Sequence, residues 1–114
     1  MKNYLARRGN VVHNEVMNTN ESINYAVADE TIKAAEAMLV ALQSMRAAGD
    51  VNEWHWVDAD KIFRSAVRAA NLAMETAEGA EKYDLSNAYE AASMKFGDER
   101  AAVECELYHL RNAA

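Results

Sequence analysis

From residue 21 onward, apolar residues recur at alternating spacings of three and four: Tyr25, Ala28, Ile32, Ala35, Leu39, Leu42 and Met45. That spacing places them on one stripe of an α-helix. Ile23, Val27, Ala34, Met38 and Ala41 widen the same stripe. Thr19, Asn20 or Ser22 can accept an exposed backbone N–H at its start. Arg46 suits the negative helix end, and Gly49 follows where a left-handed closing residue is needed. Asp29-Glu30-Thr31 interrupts the pattern with helix-start residues and marks a place for a kink.

Gly49-Asp50-Val51-Asn52 reads as a linker, with Asn52 or Asp58 as the next cap. The second helix carries Ala59, Ile62, Ala66, Ala69, Ala73 and Ala77 on its stripe, flanked by Phe63, Val67, Ala70 and Met74, and Gly79 ends it. Leu85, Ala88, Tyr89, Ala92 and Phe96 predict a third helix closed by Gly97. Asp98 then caps a fourth, whose Val103, Leu107 and Leu110 point inward. Connections this short force each helix back against its neighbour. Residues 1–20, punctuated by Asn3, Asn10, Asn14, Asn18 and Asn20, read as an arm. No segment alternates with period two. The expected fold is all-α: a compact antiparallel helical bundle of about four helices over residues 21–114, with a loosely structured N-terminal arm over residues 1–20.

The run Leu85-Ser86-Asn87-Ala88-Tyr89, Gly97-Asp98, Ala101-Ala102-Val103-Glu104 is similar to the helix–turn–helix rhythm of a tetratricopeptide repeat. It departs from that family in three ways. Leu85 and Gly97 stand about one helical turn too far apart, no second copy follows at the repeat's period, and no proline closes the unit. The family is therefore not carried over.

Composition narrows the core. Apolar residues are 51% of the 114, but alanine supplies 23 positions, so large side chains are few. The core is expected to be thin and closely packed, which leaves room for a homodimer. Proline is absent and glycine occurs four times, which disfavours sandwiches, barrels and long flexible linkers. No run of about 18 apolar residues suggests a membrane span, and the first residues lack the apolar stretch of a secretory signal. Cys105 is the single cysteine, so no internal disulfide forms and a cytoplasmic location is expected.

The net charge is −6, and its excess lies late in the chain. Residues 75–114 hold the acids Glu75, Glu78, Glu81, Asp84, Glu90, Asp98, Glu99, Glu104 and Glu106 against Lys82, Lys95, Arg100 and Arg111. Such a surface repels phosphate backbones and attracts a basic groove on another protein.

The search for catalytic chemistry returns little. Glu106 and His109 share the Glu-x-x-His spacing of di-iron bundles, but there is no second copy to complete a site. Cys105 and His109 stand four apart, yet Glu104 and Glu106 flank the thiol and oppose its ionisation, so a packing cysteine is expected. Asp58/Asp60, Glu78/Glu81 and Glu104/Glu106 are paired carboxylates without an apolar pocket to separate them. No catalytic residue, metal site or cofactor is expected, and the chain is read as a non-enzyme.

Two surface features remain. Trp54-His55-Trp56 sets two tryptophans at the entrance to the second helix, where they close the bundle or anchor a partner. Lys61, Arg64 and Arg68 form a basic stripe suited to pairing with acids of a neighbouring helix or a second subunit. The leading expectation is a small acidic protein-interaction module, a regulator or inhibitor of the anti-restriction or anti-CRISPR kind. It would dock on a basic partner such as a nucleic-acid-binding protein through Trp54, Trp56, Glu75, Glu78, Glu81 and Asp84. The alternatives are a metal-dependent helical enzyme using Glu106 and His109, and a weak nucleic-acid binder using the basic stripe.

Overall fold

The computed structural model describes residues 12–113, with side chains from residue 20 onward. Three helices account for almost all of it: α1 (Val12–Ala48), α2 (Glu53–Gly79) and α3 (Tyr83–Asn112). Among the described residues there is no strand, and no helix is long and apolar enough to cross a membrane. α1 begins at Val12, inside the stretch read as an arm, and runs unbroken through Asp29-Glu30-Thr31; residues 1–11 of that arm lie outside the described residues.

The count of about four helices is corrected to three, and the error lies at Gly97. There α3 continues without a break, so Gly97 is not a terminator, Asp98 is not a cap and the repeat-like turn is absent. A glycine inside a helix costs about 1 kcal/mol relative to alanine. Burial of Phe96 and Val103, seven residues apart on the same side of α3, outweighs that penalty.

The C-terminal ends of α1 and α2 are closed in the same way. After α1, the N–H of Gly49 bonds the carbonyl of Arg46 at 3.1 Å and that of Asp50 bonds Met45 at 2.9 Å, with Gly49 left-handed at φ 75°. After α2, the N–H of Glu81 bonds the carbonyl of Glu78 at 3.1 Å and that of Lys82 bonds Ala77 at 2.8 Å. Both are six-to-one closures that satisfy orphan carbonyls. The left-handed residue of the second is Glu81, at φ 58°, rather than a glycine.

The core follows a seven-residue period. α2 buries Trp56, Ala59, Phe63, Ala66, Ala70, Ala73 and Ala77, at spacings of three and four. Ala28, Ala35 and Leu42 answer from α1, and Tyr89, Phe96 and Val103 from α3. Such a pattern keeps one seam of each helix facing its neighbours. Side-chain bonds fix the levels: Asn24 Nδ2 donates to Thr76 Oγ1 at 2.9 Å, Tyr89 OH to Asp29 Oδ1 at 2.8 Å, and Arg111 Nε to Glu53 Oε2 at 3.1 Å. Rising numbers along α1 therefore meet falling numbers along α2 and rising numbers along α3. α2 lies between the other two, and α1 and α3 approach each other chiefly through side chains. The result is a rod 65 Å long and 20–23 Å across.

Its two halves are filled differently. Near Trp56 the core is bulky, with Phe63 and Phe96 stacked at 5.7 Å and both almost fully buried. Towards Ala77 the buried positions of α2 are all alanine, and the space is taken by Tyr25 and Tyr89, stacked at 5.8 Å against Ala28 and Ala73. Several expected core positions lie outside. Ile23 and Val27 are half exposed, Ala34, Ala41 and Ala88 are exposed, and so is Leu110. Only Met38 of the widened α1 stripe is drawn inward.

Candidate docking surfaces

Residues two apart on a helix point to nearly opposite sides, and Trp54 and Trp56 divide accordingly. Asn52 holds the start of α2: its N–H donates to His55 Nδ1 at 2.9 Å, and its carbonyl accepts from the His55 N–H at 3.0 Å. Trp56 then turns into the core, 6% exposed, with the Arg46 guanidinium 5.3 Å from its ring centre. Arg46 in turn faces Glu106 at 3.5 Å. Trp56 is thus a closing residue for this end of the rod, out of a partner's reach. Trp54 stays 60% exposed, its ring against that of His55 at 3.8 Å. Any anchoring role expected of the pair falls to Trp54 alone.

The expected acidic contacts gather at the other end of α2. Glu75, Glu78, Glu81 and Asp84 are all exposed around the turn from α2 to α3. Lys82 sits among them, but its ammonium bonds the Glu21 carboxylate across the turn and lies 5.6 Å from the Tyr25 ring centre. The Tyr25 hydroxyl donates to the same carboxylate at 2.9 Å. These two bonds, that from Lys82 foremost, hold the Glu21 pKa below its ordinary value, and the bond to Glu21 raises that of Lys82. Burial, then the bond to Glu21, raises Tyr25; burial, then the bond to Asp29, raises Tyr89 well above the ordinary phenol range. Among the described residues none of the four outward carboxylates makes an ion pair. The turn therefore presents four negative charges while its own lysine is occupied. About 31 Å of helix separates Trp54 from Glu75, at 1.5 Å per residue. The two groups do not form one site.

The basic stripe also divides. Arg64 Nη2 donates to Asp60 Oδ2 at 3.0 Å, and the other oxygen of Asp60 lies 3.4 Å from Arg100 Nε. Asp60 Oδ1 and Arg100 Nε are both shut off from water without a hydrogen bond, so they face each other as an under-closed ion pair. Lys61 and Arg68, seven apart, remain exposed with no ion pair among the described residues. A hollow of about 350 Å³ between α2 and α3 is lined by Asp60, Arg64, Glu104, Tyr108 and Arg111. Asp60, Arg64 and Glu104 each already have a charged partner within the chain, as does Arg111 with Glu53.

The chemical candidates at the end of α3 are dispersed. Glu106 is turned to Arg46, and His109 is exposed with its ring edge-on to Tyr108. No group of three or more metal-ligating side chains comes together among the described residues. The packing role expected for Cys105 does not hold: it lies on the outer side of α3, exposed.

Sequence reading overlooked the tyrosine layer of Tyr25, Tyr89, Asp29, Glu21 and Lys82. Its signal was present, since Tyr25 stands on the α1 stripe opposite a run of alanines too small to fill the space beside them. No protein-family model matches the chain, and comparison with curated proteins and with solved structures finds no match.

Proposed function

We propose that this chain is a small, acidic, non-enzymatic interaction module: a regulator or inhibitor that docks on a basic surface of another protein. The supporting observation is the turn between α2 and α3, where Glu75, Glu78, Glu81 and Asp84 stand exposed and, among the described residues, without an ion pair, while Lys82 is engaged by Glu21. Like charges held on a rigid corner steer a basic partner into encounter, an effect on association rate more than on residence time. Nucleic-acid-handling machinery, whose working surfaces are basic, is the natural complement, in the manner of small anti-restriction and anti-CRISPR proteins. The lone cysteine suits a reducing cytoplasm. Trp54 is the next contact in order, and only a partner reaching about half the rod's length touches both.

The other readings draw less support. Glu106 is engaged by Arg46 rather than presented beside His109, and Arg64 is engaged by Asp60, which leaves two bases on the outer face of α2. The test is kinetic. A partner is captured from the native host with the wild-type chain, then its association is followed by surface plasmon resonance. Reversing Glu75, Glu78, Glu81 and Asp84 to Lys slows association at low salt and flattens its salt dependence. An association rate that ignores all four reversals removes the reading.

A further inference from the structure

α1 carries a second seam. Ile23, Val27, Ala34, Ala37, Ala41 and Ala48 follow the three–four spacing, with Glu30 and Ser44 in the two skipped places, nearly half a turn away from the buried one, and every one of them is exposed. Beside it on α2 lie Trp54, Lys61, Ser65, Arg68 and Leu72, likewise exposed. Between the two helices runs a shallow groove of about 170 Å³ lined by Thr31, Ala34, Lys61, Ile62 and Ser65. From Ile23 to Ala48 the seam on α1 is about 38 Å long at 1.5 Å per residue, on a rod 20–23 Å wide. That is about 800 Å², the area each partner commonly gives to a stable complex.

We propose that this face binds a second copy of the chain, the two rods side by side and pointing the same way, so that α1 of each lies on α2 of the other. A two-fold axis along the rod keeps every residue at its own level. The bond between Asn24 and Thr76, and the packing of Ala28 with Ala73, set those levels. Glu30 then stands within about 5 Å along the axis of Arg68 of the other copy, a gap the arginine side chain spans. Among the described residues neither makes an ion pair within its own chain. The same register lays Leu72 of one copy on Val27 of the other, and Trp54 on Ala48. Each of these pairings occurs twice, as closed symmetry requires. The opposite arrangement, with rods reversed, stacks α2 on α2 and sets Lys61 and Arg68 against themselves. The face takes in Glu75, one heptad on from Arg68 on the same stripe of α2, whereas Glu78, Glu81 and Asp84 lie at or past its end and stay open in the pair.

Sedimentation velocity from about 1 to 100 µM, a range in which an interface of this size associates, tests it. The wild-type chain sediments at twice its monomer mass of 12.7 kDa. Glu30→Arg and Arg68→Glu each weaken association at least about tenfold, and the two together restore it, because the charges are exchanged rather than lost. Ala34→Glu, at an exposed position, gives a monomer with unchanged helical circular dichroism. A chain that stays monomeric throughout overturns the proposal. So does a dimer indifferent to Glu30→Arg and Ala34→Glu, or a double reversal weaker than either single one. Binding of a foreign helix to a monomeric chain at this face also overturns it.

Discussion

Replacing Gly97 with alanine distinguishes one long α3 from two shorter helices by the sign of a stability change. Within a continuous helix, glycine loses more backbone freedom on folding than alanine, and the exchange is worth about 1 kcal/mol. A methyl built at Gly97 meets no atom within 4 Å, so neither overpacking nor new burial alters that figure much. The expected gain is about 0.5–1 kcal/mol, which for a domain of this size raises Tm by roughly 2–5 °C. Had Gly97 closed one helix before another opened at Asp98, it would occupy left-handed backbone, and alanine there would lose about 1 kcal/mol. Gly49 supplies the internal reference. It is left-handed at φ 75° with open space around it, so Gly49→Ala reports the backbone penalty alone. Thermal and urea unfolding followed by circular dichroism give both numbers, with the urea slope expected to be the same for all three proteins. Gly97→Ala more stable and Gly49→Ala less stable is the predicted pattern. If Gly97→Ala falls alongside Gly49→Ala, the three-helix account is wrong.

Two further outcomes follow from the turn between α2 and α3. Glu81→Gly relieves a left-handed non-glycine residue and is expected to stabilise the fold by about 1 kcal/mol, read as a higher urea midpoint. A lower midpoint would mean that the Glu81 side chain does more than point into solvent. Stability should also depend on pH through Glu21. Its folded pKa lies below the ordinary 4.5, so its contribution is complete above that value and is lost as pH falls through the folded pKa. Glu21→Gln therefore unfolds more easily than wild type at neutral pH and converges with it in acid. Parallel curves down to acid pH would mean that the bonds to Lys82 and Tyr25 contribute nothing. At the alkaline end the sign reverses: Tyr89 is raised above 10.0, so its contribution is complete below that value and is lost as pH climbs through the folded pKa.

Helices were legible in the sequence because alternation of three and four survives in every one of them. The core stripe of α1, read as Tyr25, Ala28, Ile32, Ala35, Leu39 and Leu42, is the stripe that packs. The stop at Gly49 was legible because positive φ asks for glycine, and one stood at the right place. Gly97 misled for the complementary reason: a glycine is permitted wherever it is required, but also where packing merely tolerates it. Nothing local to Gly97 shows that Phe96 and Val103 rest on the same neighbouring helix. The docking residues were legible singly and not as a set. Charge and aromatic character mark Trp54 and Glu75 in one dimension, while the length of α2 holds them about 31 Å apart.

The sequence reading merged two seams of α1 into one, counting Ile23, Val27, Ala34 and Ala41 as widening the buried stripe, because both repeat with the same spacing. The buried seam carries Tyr25, Ile32, Leu39 and Leu42, whose larger areas gain about 25 cal/mol per Å² on leaving water. The outer seam is mostly alanine and interrupted by Glu30, so leaving it wet forfeits little in a single molecule. That same smallness lets another helix come close, since helices lined by methyl groups approach at the short end of about 8–10 Å. Glu30 then acts as a register mark rather than a defect. It is tolerable in water, unfavourable opposite an apolar or acidic surface, and favourable only where a base stands at its level, as Arg68 does on the neighbouring face of this chain. A face built this way discriminates between partners by charge position more than by area. The double reversal of Glu30 and Arg68 is therefore more informative than any loss of apolar surface.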